Sequence, residues 1–380
     1  QPPIEVPQGA IRFNTDSQKM EFFAQDRWYE FATEDSSGNG GRAFRTGGPG
    51  TIIETFNIAT EGNGIDTGFD LSVGGGFGGS SSAHAGSRTR AVIAGGSDGG
   101  SNNTIQFFTM ASLSNSIDFG DTTRGVYRCA GHSDNTRMVV AGQASGNDNT
   151  MELIIIPSLG NAVDYGDLHT TMELPGACGS PTRALFGGGD DNGDGNPVNN
   201  NIQFCTIATT GNALDFGDTR NVIGNYPMMC ASPTRGILAG GVSPTVTDID
   251  FITIATIGNG LDFGTLSVNQ GGVGASNSVR GIFAGGYGGQ PTITNIIEFA
   301  TIATRGNATN FGDLTQARRG LAGASSSVRA CFAGGSSPTN RTTIDYVAIA
   351  TLGDAADFAD LIGDARKNLA GCSNGHGGLG

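Results

Sequence analysis

The chain has 380 residues, of which 64 are glycine and only 15% are charged, and its formal net charge is −14. This composition is rich in turn residues and poor in the Ala, Glu, Lys and Leu mixture of helices, so it predicts an all-β protein. The acidic balance, with only Lys19 and Lys367 as lysines, excludes nucleic acid as an expected partner, and the strand-sized apolar stretches exclude membrane insertion.

The first predicted element is a small β module for attachment, residues 1–34. Alternating segments at residues 10–14, 20–24 and 28–32 are separated by short polar turns, a pattern typical of a hairpin followed by a third strand. Thirty residues bury little core alone, so the module is expected to dock on something larger. Residues 35–41, Asp-Ser-Ser-Gly-Asn-Gly-Gly, have the composition of a flexible linker.

A sequence repeat of about 47 residues then recurs seven times from Arg42 to the C-terminus. Its Asp-Phe element, or an equivalent, lies at Asp66, Asp118, Asp164, Asp215, Asp262, Asn310 and Asp357. Each repeat contains four short apolar segments separated by Gly, Asn, Asp or Pro, which predicts a four-stranded antiparallel meander. Seven meanders packed radially bury both faces of each sheet, so residues 42–380 are predicted to form a seven-bladed β-propeller.

The two ends of the chain supply a closure. The last repeat stops at Gly380 without its Arg-x-hydrophobic-Gly-Gly strand, and that strand stands at the front as residues 42–48. The sequence therefore predicts a split blade in which the two chain ends share one sheet.

Two polar positions recur in every repeat. An arginine opens the Gly-Gly strand, at Arg42, Arg90, Arg137, Arg183, Arg235, Arg280 and Arg329. An acid or amide lies second in the next strand, at Glu54, Gln106, Glu152, Gln203, Asp250, Glu298 and Asp345. We expect the two to face each other as stabilising cross-strand pairs, and the alternative is a ring of ligand sites.

Two glycine-rich motifs match known ligand-binding patterns in part. Gly74 to Gly79 matches GxGxxG but lacks a βαβ context, so a turn is predicted. Asp190, Asn192 and Asp194 present oxygens at alternate positions around a tight turn, as the first half of an EF-hand loop does, which makes them candidate calcium ligands. Asn201 stands where that loop needs a bidentate Glu and the flanking helices are missing, so a solvated polar turn is favoured and a calcium site is the alternative.

The remaining reactive residues indicate no active site. Cys178, Cys230 and Cys372 occupy a position where other repeats have Ala85, Ala275 and Ala324, which predicts a small buried position filled by free cysteine. Four histidines, at His84, His132, His169 and His376, lack metal-ligand or triad spacing. No catalytic or cofactor-binding residue is predicted.

The repeat resembles the kelch repeat, with its Arg before a Gly-Gly strand and an aromatic after a polar residue, although Asp-Phe-Gly-Asp replaces the kelch tryptophan. Gly9 to Asp16, Lys19 to Phe23 and Arg27 to Glu30 resemble a small β module of bacteriophage tail-fibre and other appendage proteins. The Ile-Ala-Thr and Asp-Phe-Gly-Asp-Leu phrases resemble repeats of virion structural proteins of marine phages, cyanophages especially. These resemblances imply an external particle component and carry over no catalytic residue.

The function expected from these features is that of a non-enzymatic virion structural protein, a tail-fibre or appendage part or a capsid decoration. Its partners would be other virion proteins in a larger assembly and a host-surface glycan or receptor, contacted through the long turns at residues 74–86, 190–201 and 285–295. The alternative is a carbohydrate-binding lectin or carbohydrate-active enzyme that uses the propeller funnel. An intracellular scaffold propeller is a third possibility.

Overall fold

The computed structural model describes residues 7, 10–14, 19–24, 27–30, 41–47, 52–58, 65–70, 83–96, 101–110, 116–144, 149–190, 199–242, 244–268, 271–287, 292–361 and 369–373. Every regular element among them is a β-strand, as the composition predicts. Within this part of the chain there is no helix that could cross a membrane. The chain divides into two compact units, Gln1–Asn39 and Gly40–Gly380.

The first unit is a three-stranded antiparallel sheet in the order β1 (Ile11–Asn14), β2 (Lys19–Ala24) and β3 (Arg27–Glu30). Phe23 lies opposite Trp28, and their rings meet edge to face at 5.2 Å. The guanidinium of Arg12 lies 4.1 Å from the centre of the Trp28 ring. This aromatic and cation–π stack is the described centre of the small sheet.

The second unit consists of antiparallel sheets of four to seven strands, each following the meander order of the sequence repeat. One sheet joins both ends of the unit, in the order β30 (Leu369–Ser373), β4 (Arg42–Gly47), β5 (Ile52–Asn57) and β6 (Ile65–Asp70). The seven-stranded sheet runs through β7 (Ala83–Gly86), β8 (Arg90–Ala94), β9 (Asn102–Thr109), β10 (Ile117–Ser133), β11 (Arg137–Ala144), β12 (Thr150–Ile155) and β13 (Val163–Asp167).

Four further sheets follow in chain order. The first contains β14 (Gly176–Gly179), β15 (Arg183–Gly187), β16 (Asn201–Thr206) and β17 (Leu214–Asp218). The second contains β18 (Met228–Ala231), β19 (Arg235–Ala239), β20 (Asp248–Thr253) and β21 (Leu261–Thr265). The third contains β22 (Gly271–Ser276), β23 (Arg280–Tyr287), β24 (Ile296–Thr301) and β25 (Thr309–Asp313), and the fourth β26 (Ala322–Ser325), β27 (Arg329–Ala333), β28 (Thr343–Ala348) and β29 (Ala356–Asp360).

The long strand β10 joins two sequence repeats into one sheet. Its first half pairs with β9 and its second half with β11, and the register shifts between Asp121 and Val126 and again between Val126 and Cys129. The connection between these repeats is therefore extended backbone, so the sheet continues across it. Hereafter the strands of each repeat are called first to fourth in meander order, with β10 the fourth strand of one repeat and the first of the next.

The hydrophobic cores lie between successive repeats. One buried cluster combines Val139, Met151 and Tyr165 with Phe186 and Ile207 of the following sheet. The first strands contact one another in sequence order, and β30 contacts both β26 and β7. This arrangement of radially packed meanders is a propeller-like all-β fold.

Candidate functional site

The seven repeated arginines connect each repeat to the next. The expected pairing with the recurring acid is wrong, because Arg183 lies opposite Thr206 whereas Gln203 lies opposite Phe186. Each guanidinium instead donates, over 2.6–3.2 Å, to a backbone carbonyl just after the third strand of the following repeat. The pairs are Arg42 to Met110, Arg90 to Ile156, Arg137 to Ile207, Arg183 to Ile254, Arg235 to Ile302, Arg280 to Ile349 and Arg329 to Ile58.

Five of these guanidinium groups also stack on an aromatic ring within their own repeat. Carbon-to-centroid distances are 4.7–4.8 Å for Arg90 over Phe107, Arg183 over Phe204, Arg235 over Phe251, Arg280 over Phe299 and Arg329 over Tyr346. A planar cation suits this double role, since its face meets the ring while its edge donates hydrogen bonds. The repeated arginine is thus used within the fold.

The repeated acid or amide anchors the connection from the preceding repeat. These side chains are at most 1% exposed. Described examples accept a backbone N–H over 2.5–3.2 Å, from Thr123 to Glu152, His169 to Gln203, Arg220 to Asp250, Ser267 to Glu298 and Thr315 to Asp345. A buried carboxylate that accepts such bonds is stabilised as part of the scaffold.

Some of these carboxylates also have an arginine partner. Asp345 lies 2.6 Å from Arg318, which is fully buried and donates to the carbonyls of Gly334 and Thr343. Asp250 lies 2.7 Å from Arg220. Burial raises the pKa of the Asp250 and Glu298 carboxyls. Both carboxyls accept hydrogen bonds from groups of the fold itself, and neither is in the described lining of the central cavity.

The Asp-Phe-Gly-Asp phrase forms the outer contact between repeats. A Gly N–H of one repeat donates over 2.7–2.9 Å to the carbonyl of the phrase's aromatic residue in the preceding repeat, as from Gly258 to Phe216 and from Gly306 to Phe263. The phrase's own glycine is needed for this approach. A Cβ on Gly264, where φ is +152°, would lie 2.4 Å from the Gly306 carbonyl oxygen.

A central cavity of about 240 Å³ is the main candidate for ligand binding. It is lined by the first strands of all the repeats, and its lining is Gly, Ala and Ser apart from five side chains, His84, His132, Cys178, Met229 and Cys230. Serine hydroxyls of the lining donate hydrogen bonds to backbone carbonyls of neighbouring strands, from Ser373 to Ser325 over 2.7 Å and from Ser133 to Gly86 over 2.7 Å. Its described lining contains no carboxylate, lysine or arginine.

Of the four histidines considered in the sequence, the structure places His84 and His132 in the lining of this one cavity. The Nε2 of His132 lies 3.1 Å from the Ser180 carbonyl oxygen. Its imidazole packs against Gly179, where an added Cβ would lie 2.7 Å from Nε2. His132 stands at the Cys or Ala position of its repeat, which an alignment of all seven copies reveals. His169 is exposed elsewhere, and His376 lies outside the described residues.

Three titrating groups of the cavity, His84, Cys178 and Cys230, are neutral near pH 7. Burial lowers the pKa of His84 to about 4 and raises the pKa of the Cys178 thiol to about 12. Burial likewise raises the pKa of Cys230. A protonated thiol is a poor nucleophile and metal ligand, so this lining does not offer an activated nucleophile.

The cysteines pack as small apolar groups. All the cysteines with described side chains are free and buried. The sulfur of Cys178 lies 3.1 Å from where a Cβ on Gly236 would be, and that of Cys230 lies 2.6 Å from the same point on Gly281. A glycine in the next repeat thus leaves room for each of these two thiols.

The candidate calcium site is only partly described. Asp190 is buried, and its backbone exchanges hydrogen bonds of 2.7 and 2.8 Å with Glu173. Asn192 and Asp194 lie outside the described residues, so the calcium site stays a prediction. Among the described residues, no group of three or more His, Cys, Asp or Glu side chains could hold a metal ion.

The turns expected to carry recognition lie partly outside the described residues. The Gly74 to Gly79 motif lies wholly outside them. One correction concerns residues 74–86, because residues 83–86 form strand β7, which lines the central cavity. The small alternating residues there pack as a first strand and do not form a turn.

Comparison with known proteins identifies the fold and no family. No family model matches the chain, and no curated protein matches it. A copper complex of a fungal alcohol oxidase of the AA5 family is similar, with a TM-score of 0.56 and 12% identity over 76% of this chain and 66% of that one. The structure of YjhT is similar with a TM-score of 0.55 and 13% identity, over 73% of this chain and 96% of that one. The chain thus spans just under two thirds of the oxidase, and at these identities the likeness shows the fold alone.

Proposed function

We propose that residues 42–380 form seven blades around one axis, with the ring closed by a split blade. The pairing of β30 with β4, from Leu369 opposite Gly47 to Ser373 opposite Ala43, supports this closure. So does the Arg329 link to Ile58, which repeats between the last and first repeats the bond made by every other pair. Sharing one sheet between the chain ends opposes fraying of the ring.

We further propose that the chain is a non-enzymatic structural protein of a virus particle. Its ring would be a rigid scaffold that presents variable turns to neighbouring virion proteins and to a glycan or receptor on the host surface. The particle setting rests on the resemblance of the N-terminal module and of the repeat phrases to phage virion proteins.

One observation carries the non-enzymatic part of this proposal. The polar side chains repeated in every blade bond within the fold, to carbonyls, backbone N–H groups and aromatic rings of the same or the adjacent blade. The central cavity, where a propeller ligand would be sought, has a described lining of mostly small residues, with a neutral His84 imidazole and neutral thiols among its larger groups. This chemistry favours a scaffold over a glycoside hydrolase, most of which use a pair of positioned carboxylates.

Particle composition tests the proposal. Mass spectrometry of purified particles from the source virus should find this chain among the structural proteins, and antibody labelling should place it on the particle exterior. Absence of the chain from purified particles would overturn the virion assignment.

A glycan array together with a hydrolysis screen tests the alternative of a lectin or carbohydrate-active enzyme. Glycan binding without turnover is compatible with a host-recognition role. Turnover that persists in an independently purified preparation would overturn the non-enzymatic assignment.

A further inference from the structure

One end of the ring carries an unusual concentration of exposed apolar side chains. Antiparallel meanders place the turn between the first and second strands and the turn between the third and fourth strands at the same end of each sheet. We call this end the turn face, formed by residues 87–89, 134–136, 180–182, 232–234, 277–279 and 326–328 and by residues 156–162, 207–213, 254–260, 302–308 and 349–355. The Arg183 link to Ile254, and its equivalents, join these ends from one repeat to the next.

Ten of the eleven described large apolar side chains that are exposed in the second unit lie in the turn face, on the strand residues directly beside it or, for Ile117, at the same end of its sheet opposite Phe107. The exception is Tyr226, at the opposite end. The most exposed are Leu159, Leu214, Ile257, Val279, Val328 and Leu352, between 55% and 62% accessible. Single exposed apolar residues are normally scattered over a protein surface. Exposed apolar side chains that are grouped at one end indicate an interaction surface.

The charge of this surface differs from that of the whole chain. The turns of this face contain two cations, Arg88 and Arg305, and two anions, Asp134 and Asp354. The flanking strand residues add the half-buried arginines that open the second strands and the exposed aspartates of the fourth strands, so the charges of the face nearly balance in a chain whose net charge is −14. Two copies of an acidic protein repel each other least where they present neutral, apolar surfaces. The turn face is therefore the end through which like-charged copies can approach.

The available area meets the need of a stable dimer. At about half of their accessible area each, the ten side chains present on the order of 900 Å² of surface, and a standard interface buries about 800 Å² per partner. The same face has a depression of about 530 Å³ between Arg88, Asn135 and Pro157. Projecting side chains and a hollow on one surface are what a two-fold, self-complementary interface requires.

We propose that the occupant of the turn face is a second copy of this chain, seated turn face against turn face. The described ends of the second strands, such as Gly187 and Ala239, then lie on the side away from the interface. This inference concerns self-association and does not depend on the virion assignment.

Sedimentation velocity of the full chain between about 1 and 100 µM tests the proposal. The variant Leu214→Asp/Ile257→Asp places two charges at adjacent points of the face, because the Gly258 N–H donates to the Phe216 carbonyl over 2.8 Å. We expect the wild type to be dimeric and this variant to dissociate at least tenfold more readily. Tyr226→Asp is the matched control, an exposed apolar residue at the opposite end, and should remain dimeric.

Leu159→Asp, at a separate point of the face, should also weaken the dimer. It keeps the test informative if the double variant fails to fold. Circular dichroism melting checks that each variant is folded. A wild type that stays monomeric at 100 µM would overturn the proposal. A dimer that persists in both turn-face variants, or that is lost in the Tyr226 variant alone, would overturn it as well.

Discussion

At the scale of single residues, the arginine that opens each second strand is the most informative side chain. It bonds a carbonyl in the following repeat, and in five repeats it also stacks on an aromatic ring in its own, as Arg90 does with Ile156 and Phe107. Because a carbonyl beside a packed strand otherwise loses its water partners, such a bond stabilises the contact between repeats. Each arginine therefore acts as a cross-link from one sheet to the next.

The pair Arg90 and Arg88 tests this role. Arg88 lies in the turn before β8 and Arg90 is the first residue of β8, but Arg88 is exposed whereas Arg90 is half-buried and bonded. Arg90→Met should lower the free energy of unfolding by about 2 kcal/mol, from the lost charge-assisted hydrogen bond and cation–π contact. Arg88→Met should change it by less than about 0.5 kcal/mol. Urea midpoints measured in dilute solution provide the comparison, and equal effects would contradict the cross-link.

His84 predicts a specific pH dependence. Burial lowers its pKa to about 4, against about 6.5 in the unfolded chain. As the pH falls from 6.5 to 4, the unfolded chain binds a proton that the folded chain does not, so stability decreases across this window by up to about 3 kcal/mol.

The variant His84→Ala tests this dependence, since other repeats have Gly131 and Ala177 at this position. Melting temperatures between pH 7 and 4 should fall less steeply for His84→Ala than for the wild type. The exposed His169, replaced by alanine, controls for the loss of one imidazole. Parallel curves for His84→Ala and the wild type would show that His84 is not held neutral by the fold.

Residue roles were only partly predictable from the sequence. That the repeated Arg and acid are scaffold groups followed from their recurrence in every repeat. Their partners did not, because strand register and contacts between repeats are not written in the local pattern. Arg183 lies opposite Thr206, three residues beyond Gln203, and a register difference of that kind changes every cross-strand neighbour.

At the scale of elements, glycine sets how closely adjacent sheets approach. Gly264 and Gly306 both have φ near +154°, with values of +152° and +156°. A Cβ on Gly264 would lie 2.4 Å from the Gly306 carbonyl oxygen, whereas a Cβ on Gly306 would meet nothing within 4 Å. The two positions therefore share backbone strain and differ in space.

This difference yields a matched pair of variants. Gly264→Ala should destabilise the ring by about 1–3 kcal/mol more than Gly306→Ala, because the added methyl forces two sheets apart. Thermal melting of both variants measures the difference. If Gly306→Ala is equally destabilising, backbone conformation alone explains these glycines.

Element boundaries were well predicted where turn residues separate apolar segments. The strand β15 begins at Arg183 and β27 begins at Arg329, as the repeat indicates. The fusion of two repeats through β10 was not predictable, since Asp121 to Arg128 contains no residue that enforces extended pairing. Nor was the placement of His132, because the sequence shows which residues recur but not which side chains meet at the centre.

At the scale of the whole molecule, the two ends of the repeated sheets differ in sequence. The turns of the turn face keep nearly the same residues in each repeat, for example Ile207 to Ala213 and Ile302 to Ala308. The connections at the opposite end vary in length and composition. A uniform apolar end suits self-association, and a variable end suits recognition of other molecules.

The central claim is a closed ring whose chain ends share one sheet, and paired truncations test it most directly. Removing residues 374–380 leaves β30 in place, whereas removing residues 369–380 deletes the strand that pairs with β4. The account predicts a melting temperature within about 2 °C of the wild type for the shorter truncation and a loss of roughly 10 °C or more for the longer one. Equal melting temperatures for the two truncations would contradict the closed ring.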